Sequence, residues 1–271
     1  MAKLAYQGGI SSSCVIAATT AARALAFIIF CNFRNLSFMP QKGEWQDTIS
    51  GGFYQALSVT CLIAALKYLP GPVVITIYFS YTIVLLFFLA WKKEVELTRT
   101  AIATTLLASV GISFVVDVWS STNSLNTFGL ILAIGAALSR LGRIYNFGQQ
   151  VKVLDPMVVG GRAFGTAFLF ILPLFYFDPL KFTADSTAVT GLAVCCLSLA
   201  IGSFGTFYSL KFLGSFQYSL TVKLEPIFTS LFSLYFVNDI LTSTQYFGIF
   251  LVVTCLIWYQ LYEARRKVVL N

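Results

Sequence analysis

The sequence predicts an all-α integral membrane protein with about nine transmembrane helices, and three observations lead to this fold class. Of the 271 residues, 58% are hydrophobic and only 11% are charged, whereas soluble domains have roughly 45–50% apolar and about 25% charged residues. The apolar residues form runs close to the roughly 20 residues that cross a bilayer as a helix. The charged residues collect in the short links between these runs. So few charged side chains could not cover a soluble protein of this size, and lipid must replace water around most of it.

Nine apolar runs are predicted to cross the membrane. They are continuously apolar and lack the in-out alternation of a membrane barrel, which favours helices over strands. The first run is the weakest, because serines, threonines and Arg23 dilute it, and neighbouring helices are expected to shield it. The approximate limits are 13 to 31, 48 to 68, 71 to 91, 99 to 118, 125 to 145, 157 to 177, 188 to 208, 214 to 237 and 243 to 262.

The basic residues of the links predict the orientation of the helices. Every second link, counted back from the C-terminal tail, is basic. The others hold mainly aspartate, with Lys181 between Asp178 and Asp185 and with Lys67 as the exception at the 68 to 72 turn. Because lysine and arginine remain on the cytoplasmic side, the C-terminus is predicted to be cytoplasmic and, with nine spans, the N-terminus outside. The net charge of +7 therefore orients the protein, and no nucleic-acid partner is expected. The basic links are 32 to 47, 92 to 99, 146 to 156 and 208 to 214.

Short patterns recur along the chain at a fixed distance. Leu66-Lys67-Tyr68-Leu69 matches Leu210-Lys211-Phe212-Leu213 at an offset of 211 minus 67, or 144. Leu97-Thr98 matches Leu241-Thr242 at the same offset. The matches keep their order and lie at the ends of spans, which indicates an internal repeat.

The repeat divides the chain into two predicted domains, residues 1–122 and 123–271. Arg23 and Arg162 form a further matching pair, at an offset of 139. The second domain has five spans and the first has four, so the first is expected to lack the first helix of the repeat. Two copies of an odd number of helices have opposite orientations, which is the inverted-repeat plan of many secondary transporters.

The repeated segments resemble the EamA-type repeat of the drug/metabolite transporter superfamily, and the resemblance covers nearly the whole chain. It implies a fold of ten helices with both ends cytoplasmic, from which this sequence departs by its missing first helix. The expected function is secondary transport of a small polar or zwitterionic metabolite, such as an amino acid, by alternating access. The segments that carry the resemblance are Ala65 to Pro70, Lys93 to Thr98, Gly111, Leu210 to Leu213, Leu224 to Phe228, Leu241-Thr242 and Gly248.

Two other function classes stay open on the sequence. A transport-inactive or truncated membrane protein with a structural or scaffold role is supported by the missing helix. An integral-membrane transferase would need a polar catalytic cluster in a cytoplasmic link, and because these links are short no enzyme is expected. No Gly-Lys-Ser/Thr loop for phosphate is present, which disfavours ATP-driven pumping by this chain.

The composition also limits cofactors and partners. The chain has no histidine, which excludes histidine-based catalysis and histidine metal ligands. Its six cysteines lie in apolar runs without metal-ligand spacing and are interpreted as small apolar residues, so no metal or cofactor is expected. The expected partners are the lipid bilayer and a small-molecule substrate, with a homodimer left open. Little of the chain lies outside the spans, which favours a bacterial inner (plasma) membrane.

Ionisable groups inside a span cost about 2.5–3.5 kcal/mol on insertion scales and are therefore candidates for function. Lys223 and Glu225 lie near the middle of the span 214 to 237. Residues two apart on a helix point about 200° apart, so the two side chains are expected to face different neighbours. Glu225 is predicted to be a protonatable or cation-binding group, or else to satisfy backbone groups freed by Pro226. Lys223 could bind a substrate carboxylate or extend toward headgroups.

Two further pairs are candidates for the substrate or ion pathway. Arg23 and Arg162 could form a gate or bind an anionic group, although their position also allows the side chains to reach headgroups. Tyr78 and Tyr81 are candidates because a buried hydroxyl needs a partner. Tyr81 is also the repeat partner of Glu225, since 225 minus 81 is 144.

The arginines at the end of the fifth predicted span are interpreted differently. Arg140 and Arg143 are expected to be positive-inside anchors rather than ligands. The polar residues that follow them are expected to form an interfacial loop: Asn146, Gln149 and Gln150.

Overall fold

The computed structural model describes residues 10–121, 126–179, 185–237 and 241–270, and every extended regular element in these ranges is a helix. A short 3-10 turn, Val118–Ser121, follows the fifth helix. The helices are α1 (Ser12–Phe33), α2 (Trp45–Ala65), α3 (Gly71–Phe79), α4 (Tyr81–Trp91), α5 (Arg99–Val115), α6 (Thr127–Val153), α7 (Pro156–Ile171), α8 (Leu174–Phe177), α9 (Ser186–Thr221), α10 (Leu224–Val237) and α11 (Ser243–Leu270).

Seven helical segments in the described ranges are long and apolar enough to cross a membrane. They are α1, α2, α3 with α4, α6, α7 with α8, α9, and α11 up to Arg266. Helix α5 is apolar but shorter, and α9 breaks at Gly214 so that its last part leads into α10. Each of the nine predicted spans therefore has a helix in the described part of the chain. The all-α membrane fold is confirmed.

The repeated Leu-Thr pairs mark the starts of two equivalent helices. Thr98 caps α5 by accepting a hydrogen bond from the Ala101 amide at 3.1 Å. Thr242 precedes α11, accepts from the Gln245 amide at 3.4 Å, and donates its own amide to Gln245 Oε1 at 2.9 Å. This reciprocal pair satisfies amides that have no partner inside the helix. The offset of 144 thus aligns helix beginnings.

Local backbone chemistry explains the helix breaks. Gly214 has φ of 75°, a conformation that glycine adopts without steric cost, and it interrupts α9. Pro173 separates α7 from α8. Pro226 does not kink a continuous span, because the helix already ends at Thr221 and α10 starts two residues before the proline. There, in the first turn, its missing N–H removes no helical hydrogen bond.

The chain forms two compact units, and each contains parts of both predicted repeats. Unit 1 comprises Met1–Ile63 and Gly142–Gly214, and unit 2 comprises Ala64–Leu141 and Ser215–Asn271. The repeats 1–122 and 123–271 concern sequence similarity and stay a prediction. The compact units follow packing instead, so their boundaries differ.

In unit 1, α1 packs against α7 through aromatic rings and small residues. Phe27 is fully buried, and its ring lies where a Cβ on Gly160 would have to be. The glycine therefore permits the close approach of the two helices. Further rings complete this core around Phe27: Phe164, Phe204 and Phe207.

In unit 2, α5 packs against α11 through glycines. A Cβ on Gly248 would lie 2.7 Å from both the Gly111 carbonyl oxygen and the Val115 nitrogen. A Cβ on Gly111 would lie 2.6 Å from a methyl carbon of Val252. Here the backbones of the two helices touch, which only small residues allow.

Contacts at the helix ends agree with the charge pattern of the links. In unit 2, Arg266 of α11 forms an ion pair with Glu96, and both lie on the side predicted to be cytoplasmic. In unit 1, the Ser13 amide donates to Asp178 Oδ2 at 3.1 Å, and both lie on the side predicted to be outside. In each case the structure joins two segments that the charge pattern assigns to one side.

Large apolar side chains remain exposed along the helices. A soluble protein would bury most residues of this type, whereas lipid solvates them in a membrane. Prominent examples are Ile131, Leu197, Ile201 and Phe250.

Candidate functional site

Lys223 lies in the two-residue break between α9 and α10, and its side chain is completely buried. Its Nζ donates to Ser109 Oγ at 2.5 Å and to the Thr105 carbonyl at 3.5 Å, both on α5. Ser109 Oγ donates in turn to the Thr105 carbonyl at 2.7 Å. The amine is therefore held by uncharged oxygens of α5 and does not extend toward headgroups.

Glu225 is the second residue of α10 and lies two residues beyond Lys223. Its side chain is 66% exposed. Its Oε2 lies 3.9 Å from Nη2 of Arg140 on α6. Lys223 and Glu225 thus contact different helices, in agreement with their spacing. Across residues 10–121, 126–179, 185–237 and 241–270, no hydrogen bond joins the carboxylate to backbone near Pro226, which disfavours the backbone-satisfying alternative.

The sequence led us to expect that Arg140 is an interfacial anchor. Instead, it lies at the centre of a long helix. Helix α6 continues to Val153, so Arg140 is 13 residues from Thr127 (140 minus 127) and 13 from Val153 (153 minus 140). At 1.5 Å per residue, either end is about 20 Å away. Its side chain is 6% exposed. Arg140 is therefore far from both helix ends and packed inside the protein.

Aromatic rings surround the Arg140 guanidinium. Its Cζ lies 4.4 Å from the ring centroid of Tyr78, 4.8 Å from that of Phe79 and 4.9 Å from that of Tyr81. Such contacts attract a cation to the ring face and partly compensate for lost water. Tyr78, Tyr81 and Glu225, all candidates from the sequence, therefore contact the same residue, Arg140. Tyr81 and Glu225, which correspond in the predicted repeat, both contact Arg140.

Arg162 makes a different set of contacts, in unit 1. It is buried at the start of α7 and donates Nε to the Phe38 carbonyl at 2.8 Å and Nη2 to the Met39 carbonyl at 2.8 Å. Its Nη1 lies 2.7 Å from Glu44 Oε2. These three donors hold the loop between α1 and α2. The geometry favours anchoring of this loop over binding of an anionic substrate.

The Glu44 carboxylate is well stabilised in its charged form. Its Oε2 accepts from the Gln41 amide at 2.8 Å and from Arg162. The backbone hydrogen bond from Gln41, followed by the bond from Arg162, lowers the pKa of Glu44 below its usual value. The loop therefore carries an ionised carboxylate at neutral pH.

Arg23 is partly buried on α1, in unit 1. Its Nε donates to the Thr19 carbonyl one turn earlier at 2.9 Å. Its Cζ lies 4.5 Å from the ring centroid of Phe164 on α7. The guanidinium thus lies between α1 and α7, two helices that correspond in the predicted repeat.

The residues after Arg140 do not form the expected interfacial loop but continue α6 along α2. Arg143 Nη1 donates to Gln55 Oε1 at 2.7 Å, and Asn146 Nδ2 donates to Ser50 Oγ at 2.9 Å. One turn later, Gln150 Nε2 donates to the Asp47 carbonyl at 3.0 Å. Regularly spaced polar side chains thus pair the two helices within unit 1.

Metal chemistry finds no support among the described residues. The six cysteines are all free, with Cys31 and Cys255 buried and the other four partly buried. In that part of the chain, no group of three or more cysteine, aspartate or glutamate side chains could hold a metal ion.

Residues 127–259 match the model of the EamA-like transporter family. These residues belong to the EamA-like transporter family. The resemblance stated from the sequence is confirmed over these residues, and together with the seven apolar helices the match supports a multi-pass integral membrane protein of the drug/metabolite transporter type.

A solved crystal structure supports the same fold over more of the chain. It aligns with a TM-score of 0.74 over 92% of this chain and 88% of its own, at 16% identity. At this identity the likeness concerns the fold alone. No curated protein matches the chain significantly.

The EamA-like segment contains four of the charged residues described above, three of them in unit 2 and one in unit 1. Arg140, Arg162, Lys223 and Glu225 lie inside it, whereas the aromatic partners of Arg140 lie outside it. Arg140 was missed because the predicted span ended at 145, so that Arg140 and Arg143 were interpreted as its end, whereas the helix continues to Val153. One available signal was the absence of proline between Arg140 and Asp155, which allows the helix to continue to Val153.

Proposed function

We propose that this EamA-like chain is a secondary transporter that moves a small polar or zwitterionic metabolite by alternating access, with amino acids the first class to test. The observation that carries the proposal is the interrupted span in unit 2. Helix α9 ends at Thr221, α10 starts at Leu224, and Lys223 lies at the break. Discontinuous membrane helices with charged groups at the break form the substrate and ion sites of many secondary transporters.

The charges around this break support distinct roles. Glu225 is exposed and close to Arg140, so a proton or cation can reach it, and we assign it the coupling role. Lys223 is buried against α5 and places an amine group beside the break. Tyr78 and Tyr81 hold the Arg140 guanidinium. Intramembrane charges of this kind are costly, and function is the reason that proteins retain them.

The arginines of unit 1 receive a supporting role in this proposal. Arg162 anchors the α1–α2 loop through three donors, and Arg23 lies against Phe164. They act as gate elements through the position of that loop and of α1. We place the transporter in a bacterial inner membrane, where a chain with such short links is fully accommodated.

Reconstituted flux tests the proposal. The purified chain is inserted into proteoliposomes, and uptake of a pool of radiolabelled L-amino acids and other polar metabolites is measured with and without a pH gradient. Glu225→Gln keeps the shape and mimics the protonated acid, so we expect gradient-driven accumulation to disappear while exchange persists. Glu263→Gln, the same change on a different helix, α11, serves as the control and should accumulate solute normally.

Two outcomes would contradict the proposal in different ways. Accumulation by Glu225→Gln at the wild-type rate and with the same pH profile would remove this residue from coupling. Absence of flux for every solute in the pool, with folded protein in the vesicles, would favour a scaffold role instead.

A further inference from the structure

We propose that Arg140 binds a carboxylate group of the transported solute, and that Glu225 occupies this position when no solute is bound. The inference rests on the proposed transport function and names its substrate class as organic carboxylates, amino acids included. It concerns unit 2 alone, since Arg140, its three aromatic partners and Glu225 all belong to that unit.

The hydrogen-bonding capacity of Arg140 is the first argument. A guanidinium has five N–H donors and no acceptor. Among the described residues, the buried Nε of Arg140 has no hydrogen-bond partner. The only ion pair found for Arg140 in those ranges, with Glu225, is 3.9 Å long, beyond the 2.7–2.9 Å of a charge-assisted hydrogen bond. The guanidinium of Arg140 thus has more N–H donors than the surrounding protein has acceptors for them.

Arg162 provides an internal comparison for this argument. It is buried to a similar degree, but Nε, Nη1 and Nη2 each donate to an oxygen at 2.7 to 2.8 Å. That arrangement is what a structural buried arginine requires. Arg140 lacks it, and its nearest neighbours are aromatic rings, which attract the cation but carry no opposite charge.

The surroundings of Arg140 form the second argument. Tyr78, Phe79 and Tyr81 fix the position of the guanidinium without neutralising it. A guanidinium held in this way presents a planar set of donors that matches the two oxygens of a carboxylate. Phosphate and sulfate would also fit the charge, but the loosely held group already there is a carboxylate.

The position of Glu225 supplies the third argument. Its side chain is 66% exposed and makes no short bond to Arg140, so an incoming carboxylate can replace it. Replacement of one carboxylate by another keeps the net charge of the site unchanged. The exchange therefore avoids the electrostatic cost of bringing a new charge into a buried site.

A binding experiment on the full chain tests the inference. Thermal stability of the purified protein in detergent is measured with each of the twenty L-amino acids and with acetate, lactate, succinate and citrate. Each acid that stabilises the protein is compared with its methyl ester. We expect at least one acid to raise the melting temperature and its ester to have no effect.

Variants then assign the effect to Arg140. Arg140→Gln should weaken binding of that acid on the order of a hundredfold, and Arg140→Lys less, because lysine keeps the charge but loses the planar donors. Glu225→Gln should strengthen binding several-fold, because the competing carboxylate is gone. Arg143→Gln is the matched control, since Arg143 has its own acceptor on Gln55, and it should bind as the wild type does.

Several results would overturn the inference. These are equal stabilisation by acid and ester, unchanged binding in folded Arg140→Lys and Arg140→Gln, weaker binding in Glu225→Gln, or no stabilisation by any of the carboxylates. Uptake of an uncharged solute without carboxylate binding would overturn it and leave the proposed transport intact. If carboxylates bind in an Arg140-dependent way but no solute is taken up, the proposed transport function is contradicted and the proposed binding site is retained.

Discussion

Gly248 of α11 lies against Gly111 of α5 with the two backbones in direct contact. A Cβ added to Gly248 would lie 2.7 Å from the Gly111 carbonyl oxygen, and one added to Gly111 would lie 3.3 Å from the Gly248 carbonyl oxygen. Lipid tails are as apolar as the helices, so close packing of this kind is a main source of helix association in membranes.

Gly248→Ala should therefore destabilise unit 2. The atoms that the new methyl group meets are backbone atoms, which cannot move aside cheaply, and overpacking of this kind costs about 1–3 kcal/mol. Unfolding in a denaturant series would measure the loss. Gly202→Ala on α9 is the control, because nothing lies within 4 Å of its added Cβ, and it should be neutral or slightly stabilising. Equal stability of the two variants would contradict the packing argument.

The ion pair of Arg162 and Glu44 should give stability a defined pH dependence. The pKa of Glu44 is lowered from its usual 4.5 by the Gln41 amide and by Arg162. A group whose pKa is lower in the folded state stabilises at pH above the unfolded value, and the stabilisation disappears as pH falls through the folded value. Glu44→Gln should thus melt at a lower temperature than the wild type at pH 7, with the gap closing in acid.

Thermal unfolding from pH 7 to about pH 3 measures that gap. In an Arg162→Gln background the gap at pH 7 should be smaller but still present, because the Gln41 amide continues to hold the carboxylate. A gap that stays constant across the pH range would show that Glu44 stabilises the loop by some route other than its charge.

Lys223→Met should separate function from stability. Methionine has a similar length and replaces a buried amine with an apolar group, a change that is often neutral or stabilising. Ser109 still donates to the Thr105 carbonyl in this variant. We expect the melting temperature to hold while uptake in proteoliposomes falls on the order of tenfold, or about 1.4 kcal/mol of barrier.

Ser109→Ala is the complementary variant, since it keeps the lysine and removes its closest acceptor. It should lower stability by about 1–3 kcal/mol, because the buried amine loses its short hydrogen bond. Wild-type uptake by Lys223→Met would exclude the lysine from the transport path.

The charge pattern of the links predicts which side of the membrane each segment faces. In a variant with all six cysteines replaced by serine, Glu96→Cys should react with an impermeant thiol reagent only from the cytoplasm. Asp117→Cys should react only from outside. The contact of Arg266 with Glu96 further predicts that a cysteine at position 266 reacts from the same side as Glu96→Cys. Labelling of positions 96 and 117 from one side would refute the predicted topology.

The spans could be predicted because run length and composition alone decide whether a helix can cross a bilayer. The repeat stays a prediction, while the starts of α5 and α11 could be predicted because Thr98 and Thr242 precede these helices and caps have a local sequence signature. The end of α6 was missed for a physical reason. Asn146 and Gln150 resemble interfacial residues in isolation, and only their hydrogen bonds to α2 make a longer helix favourable.

The site was predictable only as a set of separate residues. Intramembrane charge singled out Lys223 and Glu225, and the repeat offset singled out Tyr81. That Glu225 and Tyr81 share Arg140 depends on tertiary packing within unit 2, which no local pattern encodes. The same holds for Arg162, whose three acceptors lie more than a hundred residues away along the chain.

The composition of the two compact units has a consequence for the origin of the chain. Because each unit takes segments from both halves, a polypeptide that ended at residue 122 would supply pieces of two cores and complete neither. Separate half-length proteins could bury their apolar faces only by exchanging helices with a second molecule. Gene fusion would then have joined two chains that fold only together. Co-expression of 1–122 with 123–271 as two polypeptides should therefore give the folded protein that neither fragment forms by itself.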